Sequence, residues 1–301
     1  MNMPALTEED ILILLAHYPG LTRKEKWAMI HELIPNLVEG PYKDQNRATL
    51  TYQKRHAFSD YLKKCSIKQV KETYLKHKCH MVTLASADYP YLLKHIYDPP
   101  FVLFYKGDFS LLNLPLIGVV GARECTQYGK KSIDSVLPSL IEEGIGIVSG
   151  LAKGIDTYAH QAAVSMKGKT VAVIGTGLNV TYPKENVALQ EHLSVNHLVL
   201  SEYPLGTTPK KHHFPMRNRI ISGLSDGVLV IEAKARSGSL ITARMALEEG
   251  RDVFAIPGSI MSELSRGCND LIKLGAIPVT EASDIINEWK SDKNVKTFTI
   301  K

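Results

Sequence analysis

The sequence lacks the features that mark secreted, membrane-spanning and metal-binding proteins. Its 301 residues include only four cysteines, whose wide spacing gives neither a disulfide framework nor a CxxC pair for zinc. It contains no apolar run long enough for a membrane span. The N-terminus lacks the basic start and the small-residue cleavage site of a signal peptide. These absences predict a cytoplasmic protein with no metal site and no membrane partner.

Familiar cofactor and catalytic motifs are also missing. The turn GVVGAR, residues 118–123, fails the GxGxxG fingerprint, and GTGLNV, residues 175–180, has Val180 where the third glycine should stand. In GLAKGIDT, residues 150–157, Lys153 precedes the second glycine, which is not the order of a P-loop. There is no GxSxG, HExxH or paired-carboxylate motif. We therefore expect neither a cofactor nor catalytic residues.

Two acidic positions leave a chemical role open. Asp156 and His160 are four residues apart on a predicted helix, which fits an acid–base pair but is more typical of a packing contact or an exposed pair. Glu202, at a predicted strand end, fits a catalytic acid and fits equally a structural acceptor that orients Arg217 or Arg219.

What is present is a chain with two compositions. The net charge is +5, and most of the excess lies in residues 1–80, which predict a small helical domain with Thr7 and Thr22 as helix N-caps. Residues 81–110 have Pro pairs between short apolar runs and predict a connecting segment with possible edge strands. Residues 111–290 predict the main domain, and 291–301 a tail. The net charge of the chain therefore says little about its partners, and any anion site must depend on local clusters of basic residues.

In the main domain, continuous apolar strands alternate with amphipathic helices. Such strands are typical of a parallel sheet that is covered on both faces. The predicted fold class is α/β: a doubly wound, Rossmann-like, mostly parallel sheet, with the small helical domain at its N-terminus.

Basic residues recur at the turns that follow the predicted strands. Ligands of such sheets bind outside the carboxyl ends of the strands, so these turns should share one edge. The turn RSGSL opens a helix with Ser-Gly-Ser, which fits an anion site as well as it fits plain helix capping. Aromatic residues interleave with the cations, a combination that suits single-stranded nucleic acid. The basic residues are Arg123, Lys184, Lys210, Lys211, Arg217, Arg219 and Arg236.

Several long motifs in fixed order resemble the DprA/Smf family of DNA-processing proteins. They include VVGARECTQYG, IVSGLAKGIDTYAHQAA, VIGTGLNVTYPKEN and KKHHFPMRNRIISG, and the resemblance covers roughly residues 80–285. It implies a non-enzymatic protein that binds single-stranded DNA without sequence preference and forms a homodimer. It also implies loading of the recombinase RecA onto DNA coated by single-strand-binding protein, during DNA uptake in natural transformation.

The resemblance also implies positions for the DNA site and the dimer surface. The location of residues just after predicted strand ends identifies most of the DNA-binding residues, but it identifies neither Asn218 nor the dimer surface. The implied DNA-binding residues are Gly121, Ala122, Arg123, Ser149, Gly150, Tyr182, Lys184, Arg217, Asn218, Arg219, Ser237, Gly238 and Ser239, to which the basic stretch adds Lys210 and Lys211. The implied dimer residues are Asn269, Leu271, Ile272 and Ile277, whose apolar members fit a core equally well.

Two other functions fit a related fold. One is a nucleotide hydrolase of the phosphoribohydrolase type, which carries a PGGxGT loop with a nearby catalytic glutamate. Here the loop is RSGSLIT, and the next acid, Glu248, lies about two turns into the helix, so the pattern argues against hydrolysis. The other is a mononucleotide sensor, which would hold one nucleotide and need a smaller basic patch.

Overall fold

The computed structural model describes residues 6–38 and 49–298. The chain divides into two compact units, which we name by their content. The N-terminal unit comprises Met1–Lys106, Thr176–Val180 and Leu200–Thr208, and the sheet unit comprises Gly107–Gly175, Thr181–Val199 and Pro209–Lys301. The domain boundaries expected from the sequence, near residues 80 and 110, stay predictions.

The N-terminal unit begins with helices that have well-formed N-termini. Thr7 and Thr22 each cap a helix in a capping box, with Asp10 and Glu25 returning the hydrogen bond, so both predicted caps are confirmed. Trp27, Ile30 and Phe58 of these helices are fully buried. The bounds are α1 Glu8–His17, α2 Arg23–Leu33, α3 Tyr52–Lys64 and α4 Ile67–Lys76.

A short antiparallel strand pair completes the N-terminal unit. Strand β1, His80–Thr83, pairs with β2, Val102–Gly107, and the short helix α5, Tyr91–Lys94, lies between them in the chain. Both strands fall within or beside the segment where edge strands were expected.

The sheet unit has the predicted α/β architecture. Strand β3 pairs in parallel with β4 on one side and with β7 on the other, and the outer pairs β4–β5, β7–β8 and β8–β9 are also parallel. The chain therefore winds outward from β3 in one direction, then crosses back to β7, which makes the β3/β7 junction a topological switch point. The strands are β3 Leu116–Gly121, β4 Gly146–Ser149, β5 Thr170–Ile174, β6 Leu198–Ser201, β7 Gly227–Ile231, β8 Asp252–Ala255 and β9 Ile277–Pro278.

The helices of the sheet unit cover strands whose residues are almost all buried, as a doubly covered sheet requires. Ile133 and Leu137 of the first of these helices pack with Ile117 and Leu229 of the sheet in one core cluster. The helices are α6 Gln127–Glu142, α7 Ile155–Ser165, α8 Val187–Asn196, α9 His213–Leu224, α10 Gly238–Glu248, α11 Glu263–Lys273 and α12 Ser283–Phe298.

The C-terminus differs from the expected tail of 291–301. Helix α12 continues to Phe298, because residues 291–298 contain neither Gly nor Pro to end it. Residues 299–301 lie outside the described residues. Across the described chain, no helix combines the length and apolarity that a bilayer crossing needs.

Candidate nucleic-acid interface

A cavity of about 690 Å³ opens in the sheet unit at the carboxyl ends of β3 and β7. It therefore occupies the topological switch point, where open α/β sheets bind ligands. Ten of the fifteen predicted DNA-binding residues line it: Gly121, Ala122, Arg123, Tyr182, Lys211, Arg217, Asn218, Ser237, Gly238 and Ser239.

One wall of the cavity is the start of helix α10. Its N-cap, Ser237, makes no cap hydrogen bond within the described chain, and its hydroxyl lies 2.9 Å from that of Ser239. A side chain at Gly238 would meet no atom of the described protein within 4 Å, so the backbone there is open to a ligand. Asn218 donates to the Gly238 carbonyl at 3.2 Å and joins α9 to this turn. The arrangement suits an anion held by the first N–H groups of the helix.

Another part of the cavity lining combines cations with aromatic rings. The Arg123 guanidinium lies 5.6 Å from the centre of the Phe214 ring, within the range of a cation–π contact. The Tyr182 ring lies 5.5 Å from Phe214 at an angle of 38° and is 46% exposed. Arg123 and Lys211 are exposed. This wall therefore offers positive charge for phosphate beside an open ring face for a base.

The floor of the cavity holds a buried ion pair. Arg217 is only 4% exposed, and its guanidinium lies 3.6 Å from the carboxylate of Asp156, which also lines the cavity. Burial raises the pKa of the Asp156 carboxyl above its usual range, while Arg217 and backbone N–H groups oppose that rise. Asp156 is thus engaged by Arg217, and the acid–base pairing with His160 does not occur.

His160 is a buried core residue of helix α7. It is fully buried, and its Nδ1 lies 2.7 Å from the Thr170 hydroxyl, which in turn donates to the Ile147 carbonyl. Burial, with a smaller contribution from Arg217, lowers the pKa of His160 to about 3, so the ring is neutral at physiological pH. His160 therefore makes a packing contact, one of the two alternatives to an acid–base pair that the sequence left open.

Five predicted residues do not line the cavity. Ser149 is fully buried, and its hydroxyl donates to the Val119 carbonyl at 2.6 Å, so the side chain is engaged within the sheet. Arg219 is also buried, at 7% exposure, because it lies on a buried side of α9. Gly150 lies against the Arg217 guanidinium, which occupies the space that a side chain would need. Lys184 and Lys210 are exposed outside the cavity lining.

Sequence reasoning missed several lining residues. Asp156 was considered only as a partner of His160, and Phe214 was regarded as a candidate for the core. Lys234 and Arg236 follow β7 in the turn that the sequence did single out, although Arg236 alone was named there. For both Lys234 and Arg236, the signal in the sequence was their location just after a predicted strand. Glu202, in contrast, belongs to the N-terminal unit, where it accepts a hydrogen bond from Arg23 at 2.5 Å.

The predicted dimer residues lie on and beside α11. Asn269 exchanges hydrogen bonds with Gly258, at 2.9 Å and 3.2 Å, while Leu271, Ile272 and Ile277 are half-buried. More exposed apolar side chains flank the helix: Leu274 is 82% exposed, and Ile260 and Met261 are 92% and 88% exposed. We call residues 260–277 the α11 segment.

Comparisons with known proteins agree on one family. The sequence model of "DNA recombination-mediator protein A" matches residues 80–290. The DNA processing protein DprA of Streptococcus pneumoniae is 58% identical over 202 residues, which cover 67% of this chain and 71% of that protein. DprA of Bacillus subtilis is 47% identical over 229 residues, or 76% of this chain and 77% of that protein.

Solved structures give the same result. The crystal structure of Streptococcus pneumoniae DprA superposes with a TM-score of 0.77 at 44% identity, covering 95% of this chain and 99% of that one. The Helicobacter pylori DNA processing protein A, whose structure concerns its single-stranded DNA binding mode, gives a TM-score of 0.63 at 31% identity. That match covers 71% of this chain and 97% of the other.

Proposed function

This chain belongs to the DNA recombination-mediator protein A (DprA/Smf) family, and on that premise we propose that it binds single-stranded DNA without sequence preference. The single observation that carries the proposal is the cavity at the β3/β7 switch point, which combines a helix N-terminus, several cations and aromatic rings. The relative from Helicobacter pylori, whose structure concerns its single-stranded DNA binding mode, supports the same ligand.

The polar groups of the cavity favour a phosphate backbone over a single base. Arg123, Lys211, Lys234 and Arg236 are exposed around it, which is more positive charge than one phosphate needs. Contacts to phosphates carry no sequence information, and every base has a ring face that can stack on an aromatic side chain. Binding through these groups should therefore depend on strand length and salt rather than on sequence.

We extend the proposal to a homodimer through the α11 segment. Exposed Leu274, Ile260 and Met261 present apolar surface, and large apolar side chains that water would otherwise surround are typical of protein contacts. The half-buried Leu271, Ile272 and Ile277 would then pack partly against the core and partly against the other protomer. The Asn269 amide already makes a hydrogen bond to Gly258 within the same chain.

We further propose that the bound strand is passed to RecA, in competition with single-strand-binding protein, during DNA uptake in natural transformation. The role is that of a mediator rather than an enzyme. The residues most suggestive of catalysis have structural partners: Asp156 pairs with Arg217, and His160 with Thr170. Glu248 ends α10, ten residues beyond the helix start that borders the cavity, or about 15 Å along the axis.

Fluorescence anisotropy with labelled dT oligomers of several lengths, single-stranded and double-stranded, tests the proposal. We expect affinity to rise with length, to favour single strands and to change little between dT, dA and dC. Saturable binding of a mononucleotide, with no affinity for DNA, would instead support the hydrolase or sensor. Hydrolysis of the nucleotide then separates those two.

A further inference from the structure

Arg217 is held differently from the other cations of the cavity. Arg123, Lys211, Lys234 and Arg236 are exposed, whereas Arg217 is almost completely buried and still lines the floor. Burying a cation without an anion is costly, so the fold must supply a partner. Asp156 is such a partner, 61 positions earlier in the chain and 3.6 Å away.

The loop before α7 fixes Asp156 in place. The Ala152 N–H donates to the Asp156 carboxylate at 3.4 Å, and the loop reaches this shape through positive φ angles of 53° at Leu151 and 78° at Gly154. Asn186 reinforces the loop by donating to the Leu151 carbonyl at 2.9 Å and to the Thr157 hydroxyl at 2.7 Å. The carboxylate therefore lies in the first turn of α7, held by a hydrogen bond from the braced loop that precedes the helix.

Gly150 provides the room for this arrangement. A Cβ at residue 150 would overlap the guanidinium of Arg217, so the absence of a side chain lets the guanidinium lie against the loop. Gly150 was expected to contact DNA directly. The structure gives its lack of a side chain a different use, which is to admit Arg217.

We propose that Asp156 is a positioning residue for phosphate recognition: it fixes the Arg217 guanidinium on the cavity floor, where that group meets one phosphate of the bound strand. The proposal rests on the proposed DNA-binding function and deepens it. A guanidinium carries five N–H donors in a rigid fork, so anchoring one nitrogen on Asp156 sets the direction of the others. An arginine fixed before binding loses less side-chain entropy when the phosphate arrives.

The test is a double-mutant cycle measured by anisotropy with a dT oligomer over a salt series. Asp156→Asn keeps the size and an acceptor for the loop N–H groups but removes the charge that anchors Arg217. We expect binding about tenfold weaker, and a log–log salt slope shallower by about 0.7, the value of one contact to a single strand. In an Arg217→Gln background, Asp156→Asn should change the affinity less than twofold, because the group it positions is gone.

A matched control separates positioning from charge. Glu124 also lines the cavity but is exposed, so Glu124→Gln removes one negative charge from the same site without an anchored partner. This variant should bind equally well or more tightly, since only repulsion of phosphate is removed. The proposal would be overturned if the Asp156→Asn variant bound DNA as tightly as the wild type or more tightly. It would also be overturned if Asp156→Asn still weakened DNA binding in the Arg217→Gln background.

A second variant covers the case in which Asp156→Asn fails to fold. Gly150→Ala leaves both charges in place but takes the space of the Arg217 guanidinium, which must move away from its place against the loop. We expect a similar, roughly tenfold, loss of affinity in a protein with unchanged circular dichroism, and wild-type affinity contradicts the inference. Wild-type protein that does not bind single-stranded DNA at all contradicts the proposed function itself, so the two failures are distinguishable.

Discussion

The cavity and the α11 segment belong to the same structural unit but differ in the side chains that they expose. Around the cavity, the exposed side chains are mostly cations, together with a tyrosine ring and the Glu124 carboxylate, and Gly238 leaves the backbone accessible. On the α11 segment, the apolar side chains of Leu274, Ile260 and Met261 are more than 80% exposed, and they stand among the exposed charged side chains of Glu263, Arg266, Asp270 and Lys273. Under the proposed function, this difference corresponds to two partners of different chemistry: a polyanion at the cavity and a second protein surface at the exposed apolar side chains of the α11 segment.

If the two surfaces are independent, a change in one should leave the other intact. We expect the largest effect from Leu274→Asp, which places an ionised group in the proposed dimer contact. Burying such a charge costs several kcal/mol, so the dimer dissociation constant should rise at least about a hundredfold. Light scattering over a concentration series measures the change, and circular dichroism checks the fold.

Val195 is the matched control for Leu274, because it is 78% exposed and lies on α8 outside the α11 segment. Val195→Asp should leave the assembly unchanged. If the Leu274→Asp protein stays dimeric, the α11 segment is not the dimer interface. Loss of binding to a short dT oligomer by a folded Leu274→Asp monomer would show that the two surfaces are not independent.

Removing the exposed ring of the cavity should have the next largest effect. Tyr182→Ala should weaken dT binding about tenfold, since base–aromatic stacking contributes about 1–3 kcal/mol per base. The salt slope should not change, because no charge is lost. Tyr128, 48% exposed and absent from the cavity lining, is the matched control, and equal losses for the two tyrosines would refute a stacking role.

Arg123→Ala should produce a smaller loss with a different signature. We expect about fivefold weaker binding to dT, dA and dC alike, and a salt slope reduced by about 0.7 for one lost phosphate contact. The exposed Arg244 of α10, outside the cavity lining, provides the control. An unchanged slope in Arg123→Ala would mean that this guanidinium does not contact phosphate.

The smallest effect is expected at Lys184. It was grouped from the sequence with the DNA contacts, but it does not line the cavity, whereas Lys211 does. Because salt screens charges that lie far from the ligand, Lys184→Ala should lower the affinity for DNA by less than about twofold. Lys211→Ala should lower the same affinity about fivefold. Equal losses in the same anisotropy series would extend the DNA path beyond the cavity.

The sequence was sufficient for features that depend on neighbouring residues. Thr7 and Thr22 begin helices because their partners lie three positions away, and continuous apolar runs identify the buried parallel strands. Position after a strand end selected Arg123 and the Ser237–Ser239 turn, because parallel topology brings all such ends to one edge.

What the sequence did not reveal depends on distant pairs. Nothing in the pattern links Asp156 to Arg217, or shows that the Ser149 hydroxyl is used by the Val119 carbonyl of the neighbouring strand. The burial of Arg219 follows from which side of α9 meets the rest of the unit. The α11 segment drew attention only through resemblance, since half-buried apolar residues on a helix look the same in a core and in an interface.

The most direct test of the central claim is the salt dependence of dT binding by the unmodified protein. A cavity that holds several phosphates predicts a log–log slope of about −2 or steeper, since each contact contributes about −0.7, and an affinity that rises with oligomer length. A slope near zero, with a mononucleotide competing as well as a long oligomer, would contradict the account and show a site built for a single small ligand.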